Sequence, residues 1–232
     1  MKTKIFCDSA DFKIIKKFSK NPMVSGFTTN PSLMKLSRAK NYKNYSLKLI
    51  NVCKKKPISL EVFGDTPDQM LRQAIIINSW GKNIYVKIPV VNSRGSFSGK
   101  VINILSQKGI KINITAVYTV NQVRKILRCI NKNSKIIISI FSGRMADVGK
   151  DPVPIIKESV RLTKKMKKVE ILWASTREAY NYLQAKKCGC SIITMPSAII
   201  EKISKFGKTY EELTLDTVKN FLKDSKDSNF KI

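Results

Sequence analysis

Lys87 is the residue of this chain whose type and position point most directly to chemistry. It lies in the apolar run from Asn83 to Val90, and a lysine is rarely buried without a partner. A partly buried lysine loses its charge more easily, and a neutral amine is a nucleophile that can form a Schiff base with a carbonyl group. The alternative is a structural lysine whose ammonium group reaches the end of the strand. The surrounding elements must decide between these two interpretations.

The absence of histidine from the chain limits the acid–base chemistry that is open to it. Every Ser-His and Cys-His nucleophile pair is excluded, so proton transfer must fall to aspartate, glutamate, lysine, tyrosine or water. The five cysteines are scattered, and only Cys188 and Cys190 are close together. An odd number of cysteines without a signal peptide predicts reduced, structural thiols, and we expect no metal site.

Eight short apolar runs alternate with longer helical patterns along the 232 residues. Strict alternation predicts parallel strands with helical crossovers, and eight such units are typical of a (β/α)8 TIM barrel in the α/β class. A doubly wound sheet is the alternative, but no glycine-rich nucleotide-binding loop follows any strand. We predict one domain over residues 1–232, with a barrel at about 4–206 and an extra C-terminal helix at about 209–226. The predicted strands are 4–7, 23–27, 58–63, 84–88, 110–114, 136–141, 169–173 and 191–194.

Several helix boundaries are also marked in the sequence. Thr66 and Thr119 each precede a glutamine by three residues, which predicts a capping box at a helix start. The segments 151–152 and 175–178 are interpreted as further helix starts, the second with Ser175 as a capping residue. Gly189 is predicted to end the helix that follows.

Polar residues collect at the carboxyl ends of the predicted strands, where the chemistry of a barrel is located. Each has a structural alternative. Asp8 could cap the following helix, as could Asp11, and Asn30 could serve a turn before proline. Asn113 and Thr115 could satisfy backbone groups, and the arginines could be solvated surface charge. The candidates are Asp8, Thr28, Asn30, Glu61, Lys87, Asn113, Thr115, Ser139, Arg144, Ser175 and Arg177.

The formal charge of +28 could indicate a nucleic-acid or membrane partner. The lysines are spread over the length, however, with short runs only at 54–56 and 164–168, and no aromatic residues interleave with them. We attribute the charge to compositional bias, expect no specific nucleic-acid partner, and note that phosphorylated small substrates fit it as well. No apolar run reaches the ~18 residues of a membrane span, and the N-terminus turns acidic too soon for a signal peptide. We expect a cytoplasmic protein without a membrane partner.

Seven short motifs stand at these strand ends. They are Asp8-Ser9-Ala10-Asp11, Phe27-Thr28-Thr29-Asn30-Pro31-Ser32-Leu33, Ser59-Leu60-Glu61-Val62, Val86-Lys87-Ile88-Pro89, Ile112-Asn113-Ile114-Thr115-Ala116-Val117, Gly143-Arg144 and Ala174-Ser175-Thr176-Arg177. Together they resemble the successive signatures of the transaldolase family, and most closely its short bacterial-type members, which include the fructose-6-phosphate aldolases. The resemblance extends over about residues 4–206.

The resemblance implies a Schiff-base mechanism without a metal or organic cofactor. It implies that Lys87 forms the imine, that Asp8 is the general acid/base for a sugar hydroxyl, and that Glu61 and Thr115 hold a proton-carrying water. The remaining residues would bind substrate. The dihydroxyacetone unit would contact Asn30, Asn113 and Ser139, the phosphate would contact Arg144, Ser175 and Arg177, and Thr28 and Phe141 complete the predicted set.

Two positions bear on the reaction that the resemblance implies. Glu61 resembles the transaldolases, which have glutamate at this position where the aldolases have glutamine. Phe141 also resembles the transaldolases, which have phenylalanine where the aldolases have tyrosine. Both favour a transaldolase of the pentose phosphate pathway, which moves a dihydroxyacetone unit from sedoheptulose 7-phosphate or fructose 6-phosphate to an aldose phosphate. The alternatives are a fructose-6-phosphate aldolase-like or specialised sugar-phosphate aldolase, and a non-catalytic barrel that binds a phosphorylated ligand or nucleic acid. The resemblance also implies a homo-oligomer, such as a decamer.

Three features depart from the family pattern. The segment 90–97 replaces the usual residues after Pro89, Asp147 is a single acid where the family shows a pair, and Trp173 is a bulky residue expected near the phosphate end. We expect these changes to affect the acceptor and the donor sugar and to leave the Schiff-base core intact.

Overall fold

Eight parallel strands close into a barrel in the computed structural model, which describes residues 3–228 and 231. Each strand pairs with the next in the chain, and the eighth pairs with the first. The predicted (β/α)8 fold is confirmed, and every predicted strand is present with its ends shifted by at most three residues. The strands are β1 (Lys4–Asp8), β2 (Val24–Thr28), β3 (Ile58–Glu61), β4 (Ile84–Pro89), β5 (Ile112–Val117), β6 (Ile136–Ile140), β7 (Val169–Trp173) and β8 (Ile192–Met195).

Helices cover the crossovers, and two crossovers contain two helices where one was predicted. These are the segments between β2 and β3 and between β6 and β7. The helices are α1 (Phe12–Ser19), α2 (Pro31–Leu36), α3 (Tyr42–Cys53), α4 (Pro67–Ser79), α5 (Gly99–Gln107), α6 (Val120–Cys129), α7 (Ser142–Ala146), α8 (Val153–Thr163), α9 (Asn181–Lys187), α10 (Ser197–Lys202) and α11 (Tyr210–Asp227), with a 3-10 turn at Ile203–Lys205.

The helix boundaries confirm two predicted capping boxes and contradict the predicted helix start at 175–178. Thr66 and Thr119 each cap their helix as expected, and Gly189 follows α9 with a φ of +79°. Ser175 caps nothing, because α9 begins only at Asn181. The Asn181 side chain accepts hydrogen bonds from the backbone N–H groups of Arg177 and Glu178, which holds this segment in a turn.

An apolar layer lies directly beneath the polar ends of the strands. Its buried members are Phe6, Ile137, Leu172, Ala174 and Ile192. Side chains two residues apart on a strand share a face, so Asp8 and Ser139 continue the faces of Phe6 and Ile137 toward the carboxyl ends. The polar residues at the strand ends therefore lie on an apolar layer of the barrel interior.

The described residues divide into two compact units, one up to Ile200 and the other from Glu201 onward. The second unit contains α11, which Thr209 begins with a capping box. The apolar side chains of α11 are exposed; they are Leu213, Leu215, Val218, Phe221 and Leu222. The assignment of all 232 residues to one domain stays a prediction. None of the described helices has the length and hydropathy needed to cross a membrane.

Candidate active site

The carboxyl ends of the strands surround an open cavity of about 370 Å³. The twelve residues predicted from the sequence all line it: Asp8, Thr28, Asn30, Glu61, Lys87, Asn113, Thr115, Ser139, Phe141, Arg144, Ser175 and Arg177. They come from seven different strands and the segments that follow them. The barrel thus brings the predicted set together, while the role of each residue stays a prediction.

Lys87 places its amine inside the barrel and not at the solvent. The residue is 6% exposed. Its Nζ lies 3.1 Å from Oε2 of Glu61 and donates a hydrogen bond of 2.8 Å to the carbonyl oxygen of Thr29. Glu61 and Lys87 are direct neighbours in the β3–β4 ladder, which brings the two side chains together. The ammonium group lies at the ends of the neighbouring strands, as the structural alternative also expected, so the choice between a structural and a catalytic lysine stays a prediction.

Asp8 is half-buried, and its carboxyl group has one specific hydrogen-bond donor. The Thr28 hydroxyl donates to Oδ1 of Asp8 at 2.7 Å, and Oγ1 of Thr28 lies 2.5 Å from Oγ1 of Thr194. Burial raises the pKa of Asp8, although the hydrogen bond from Thr28 and the charge of Lys87 partly oppose this. A raised pKa suits a group that must take up and return a proton.

The capping alternative for Asp8 is wrong, because Asp11 performs that role. Oδ1 of Asp11 accepts a hydrogen bond of 2.9 Å from the backbone N–H of Ile14 at the start of α1. Asn30, in contrast, combines both interpretations. Its Oδ1 accepts from the N–H of Leu33 and caps α2, while the residue also lines the cavity.

A chain of side-chain hydrogen bonds fixes the amide on β5. Asn113 donates to the hydroxyl of Ser59 at 3.0 Å, and Ser139 donates to Oδ1 of Asn113 at 2.6 Å. The hydroxyl of Thr115 is buried and has no hydrogen-bond partner among the described residues. Neither side chain bonds to a backbone group of the described residues, so that alternative is wrong. A buried hydroxyl without a partner beside a polar cavity is a place for an ordered water molecule.

The two arginines at the rim differ in their partners. Arg177 forms a two-pronged ion pair with Asp147, in which its Nε lies 3.0 Å from Oδ1. This contact lowers the pKa of Asp147. The guanidinium group of Arg144 lies 5.2 Å from the centre of the Phe141 ring and has no carboxylate partner among the described residues. The guanidinium N–H groups of Arg144 are thus more available than those of Arg177 to bind an anionic substrate group.

A close backbone contact sets the position of α7 and its arginine. A Cβ atom on Gly143 would lie 1.5 Å from the carbonyl oxygen of Ser175, so no other residue fits here without a shift of the backbone. Ser175 itself has a φ of +63°, a conformation that costs free energy in a residue other than glycine. The glycine therefore lets Ser175 and Arg144 approach the same side of the cavity.

The departures from the family pattern lie mostly outside the cavity. Val91 and Phe97 form an antiparallel bridge, and Ser93 binds the carboxylate of Asp65 through its N–H and hydroxyl groups. No described residue of the segment 90–97 lines the cavity. Trp173 is buried and also does not line it, because alternation turns its side chain to the face opposite Leu172. The expectation that Trp173 stands near the phosphate end is therefore wrong.

Three contributors to the site escaped the sequence analysis. Ser59 and Thr194 were detectable, because Ser59 shares a strand face with Glu61 and Thr194 stands at the end of the last predicted strand. Tyr42 left no signal in the sequence. Its hydroxyl donates to the carbonyl oxygen of Glu61 and accepts from the N–H of Glu61, both at 3.0 Å. The pairing of β2 with β3 ends at Thr28 and Ser59, so Glu61 has no partner in β2. The Tyr42 hydroxyl takes the place of those backbone hydrogen bonds.

Comparisons with known proteins agree with this geometry. The family described as Transaldolase/Fructose-6-phosphate aldolase matches residues 5–232. A protein of Nitrosopumilus maritimus named "Probable transaldolase" is 32% identical over 95% of this chain and 94% of its own length. Another of that name, from Thermoanaerobacter sp., is 32% identical over 99% of this chain and 100% of its own. The crystal structure of orotidine 5'-monophosphate decarboxylase from Metallosphaera sedula superimposes with a TM-score of 0.55 at 12% identity, over 90% of this chain and 98% of that one, which shows the fold alone.

Proposed function

The chain belongs to the transaldolase/fructose-6-phosphate aldolase family, and we propose that it is a transaldolase acting through a Schiff base on Lys87. It moves a dihydroxyacetone unit from a ketose phosphate, such as sedoheptulose 7-phosphate or fructose 6-phosphate, to an aldose phosphate in the pentose phosphate pathway. The observation that carries the proposal is the enclosed amine of Lys87 at the floor of a polar cavity, 3.1 Å from a carboxylate.

Imine formation requires proton transfers that the neighbours of Lys87 can supply. Glu61 takes a proton from the ammonium group, and the free amine attacks the ketone carbon. Loss of the carbonyl oxygen as water then leaves a protonated imine. A water molecule between Glu61 and the unpartnered hydroxyl of Thr115 carries these protons. The imine is an electron sink, which prepares the bond between the α and β carbons for cleavage.

Asp8 performs the cleavage step. Its carboxylate takes the proton of the hydroxyl group on the carbon β to the imine carbon. The bond between the α and β carbons breaks, the β carbon leaves as an aldehyde, and the bonding electron pair moves into the imine to give an enamine. The enamine stays attached to Lys87 until an acceptor aldehyde adds to it. Asp8 then returns the proton to the new hydroxyl, and water releases the product ketose. Asn113, fixed by Ser59 and Ser139, holds the hydroxyls of the retained unit.

The proposal is tested by turnover with fructose 6-phosphate and erythrose 4-phosphate. We expect sedoheptulose 7-phosphate and glyceraldehyde 3-phosphate as products, and no steady release of dihydroxyacetone when the acceptor is left out. Free dihydroxyacetone in amounts equal to the aldehyde would identify an aldolase. A complete absence of reaction and of a borohydride-reducible adduct with both ketose phosphates would contradict the proposal.

The rim arginines are expected to differ in their effect on phosphate binding. Arg144→Gln should raise the KM for fructose 6-phosphate about 30-fold or more, because a charge-assisted contact to phosphate is worth about 2 kcal/mol or more. Arg177→Gln should have a smaller effect, since Asp147 already occupies that guanidinium group. Unphosphorylated fructose is the control substrate, and its kcat/KM should change less than threefold in both variants. Equal losses on both substrates would show that Arg144 supports the structure and not the phosphate.

Tyr42 is expected to act on the reaction by positioning Glu61. Tyr42→Phe leaves two backbone groups of Glu61 without their partner, so it should lower the free energy of unfolding by about 1–3 kcal/mol and slow imine formation about tenfold. Tyr45→Phe is the matched control, because it removes one hydrogen bond from the same helix to the carbonyl oxygen of Ala10. We expect that variant to lose stability but to form the borohydride-trapped adduct at the wild-type rate. Equal adduct rates in both variants would assign Tyr42 a structural role only.

Two wider features belong to the proposal. The exposed apolar residues of α11 are suited to contact another copy of the chain, which accords with a homo-oligomer such as a decamer. A pentose phosphate transaldolase acts in the cytoplasm, and its partners are its sugar-phosphate substrates.

A further inference from the structure

The barrel distributes its charge unequally between its two ends. Seven loops lead from a helix into the following strand, at the end opposite the cavity. They contain thirteen lysines, no arginine and neither aspartate nor glutamate. We call this surface the lysine face, and its loops are 20–23, 54–57, 80–83, 108–111, 130–135, 164–168 and 188–191.

The charges of the cavity end are balanced. The loops after the strands, together with the segments 37–41 between α2 and α3 and 147–152 between α7 and α8, contain five basic and five acidic residues. A general bias of composition toward lysine would enrich both sets of loops, so it does not account for the difference. The two lysine runs noted in the sequence, 54–56 and 164–168, both lie on the lysine face. They precede β3 and β7, which stand on opposite sides of the barrel, so the charge extends across the whole end.

Helix ends explain only part of this pattern. A cation after the last turn of a helix is stabilised by the helix dipole, and this effect falls off within about one turn. Four of the thirteen lysines occupy such C-cap positions: Lys20, Lys54, Lys108 and Lys164. The other nine lie farther along the loops. Their charge therefore calls for another explanation.

The lysines are concentrated without neutralising partners. None of the thirteen forms an ion pair within residues 3–228 and 231. Five of them, from four consecutive loops, line one shallow depression beside Tyr85: Lys54, Lys55, Lys82, Lys111 and Lys135. Burial lowers the pKa of Lys111, and the nearby charge of Lys135 lowers it further.

Hydrogen bonds from some of these lysines hold the loops in place. Lys56 donates to the carbonyl oxygen of Asn21 at 2.8 Å, and Lys168 donates to that of Asn133 at 3.0 Å. Each bond joins two neighbouring loops. Hydrogen bonds thus hold neighbouring loops of the lysine face together, and no carboxylate of the described residues forms an ion pair with its lysines.

We propose that the lysine face binds the phosphate backbone of a nucleic acid without reading its sequence. Lysines act as point charges toward phosphates, whereas recognition of base edges relies largely on arginine and amide side chains, and unpaired bases stack on aromatic ones. A membrane surface fits less well, since Met23 is the one exposed large apolar side chain in the described loops of this face. The proposal does not depend on the activity of the cavity at the other end.

The test is a binding titration with a fluorescent 25-base-pair DNA duplex and an RNA hairpin, each in two unrelated sequences, at several salt concentrations. We expect binding at about 0.15 M salt, similar affinities within each pair, and a linear fall of log K with log salt. The triple variant Lys55→Gln, Lys82→Gln, Lys135→Gln removes three ammonium groups that donate no hydrogen bond to any described residue. It should weaken binding at least tenfold and reduce the magnitude of the salt slope by about 2–3.

A matched control separates the surface from the total charge. The variant Lys13→Gln, Lys43→Gln, Lys48→Gln removes three exposed lysines from α1 and α3 and should change affinity less than threefold. Thermal unfolding of both variants checks that they fold. Equal losses in the two variants, or binding to phosphatidylserine vesicles without binding to either nucleic acid, would overturn the proposal. An absence of nucleic-acid binding at 0.15 M salt would overturn it as well.

Discussion

Replacing Lys87 with arginine is expected to reduce transaldolase turnover on the order of 10⁴-fold or more, to the background of the assay. The guanidinium group keeps the positive charge opposite Glu61, but it stays protonated and cannot form an imine with a ketone. Borohydride with fructose 6-phosphate should add a stable mass to the wild-type chain, on the peptide that contains Lys87. The same treatment should leave the variant unmodified.

The arginine variant is preferred to methionine because methionine would leave the half-buried carboxylate of Glu61 without its partner, which would destabilise the fold as well as remove the amine. Lys4→Arg is the matched control, since Lys4 pairs with Glu170 at the other end of the barrel, with 2.6 Å between Nζ and Oε1. It should retain both turnover and adduct. A reduced adduct on any other lysine of the Lys87→Arg chain would show that the imine was assigned to the wrong residue.

Replacing Asp8 with asparagine is expected to lower kcat about 10²–10⁴-fold while the Schiff base still forms. The amide can accept the hydrogen bond from Thr28 but cannot take the proton of a sugar hydroxyl. Borohydride should therefore trap intact fructose 6-phosphate on the variant in full yield. Asp11→Asn is the control, because asparagine caps a helix as well as aspartate does and Asp11 is not part of the cavity lining. Wild-type turnover in Asp8→Asn would refute the role of Asp8.

Asp8 should also make stability depend on pH. Burial raises its pKa in the folded chain, so the folded state binds this proton more tightly than the unfolded state. The resulting contribution to stability is fully present below the unfolded pKa of about 3.9 and is lost as pH rises through the folded pKa. Asp8→Asn should therefore have the higher Tm at pH 7, with the difference shrinking as the pH falls toward 4. A variant less stable than the wild type at pH 7 would contradict this account.

The sequence predicted individual strands well and the segments at their ends less well. All eight strands were found, because buried parallel strands are short apolar runs that the local composition reveals. The helix start predicted at Ser175 was wrong, since the side chain of Asn181 holds the preceding residues in a turn and Gly143 packs against the carbonyl group of Ser175. Such contacts join residues that are distant in sequence or depend on three-dimensional geometry. A capping pattern alone does not contain them.

The sequence by itself determined the barrel, the family and twelve of the nineteen residues that line the cavity, because residue type and strand position together specify what reaches the rim. Only the tertiary structure decided how the central lysine is held. It placed the amine of Lys87 between Glu61 and the carbonyl oxygen of Thr29, and it added Tyr42, which lies 19 positions from Glu61 in the chain. It also revealed the lysine face, since loops that are separated in sequence meet at one end only after the strands close into a barrel.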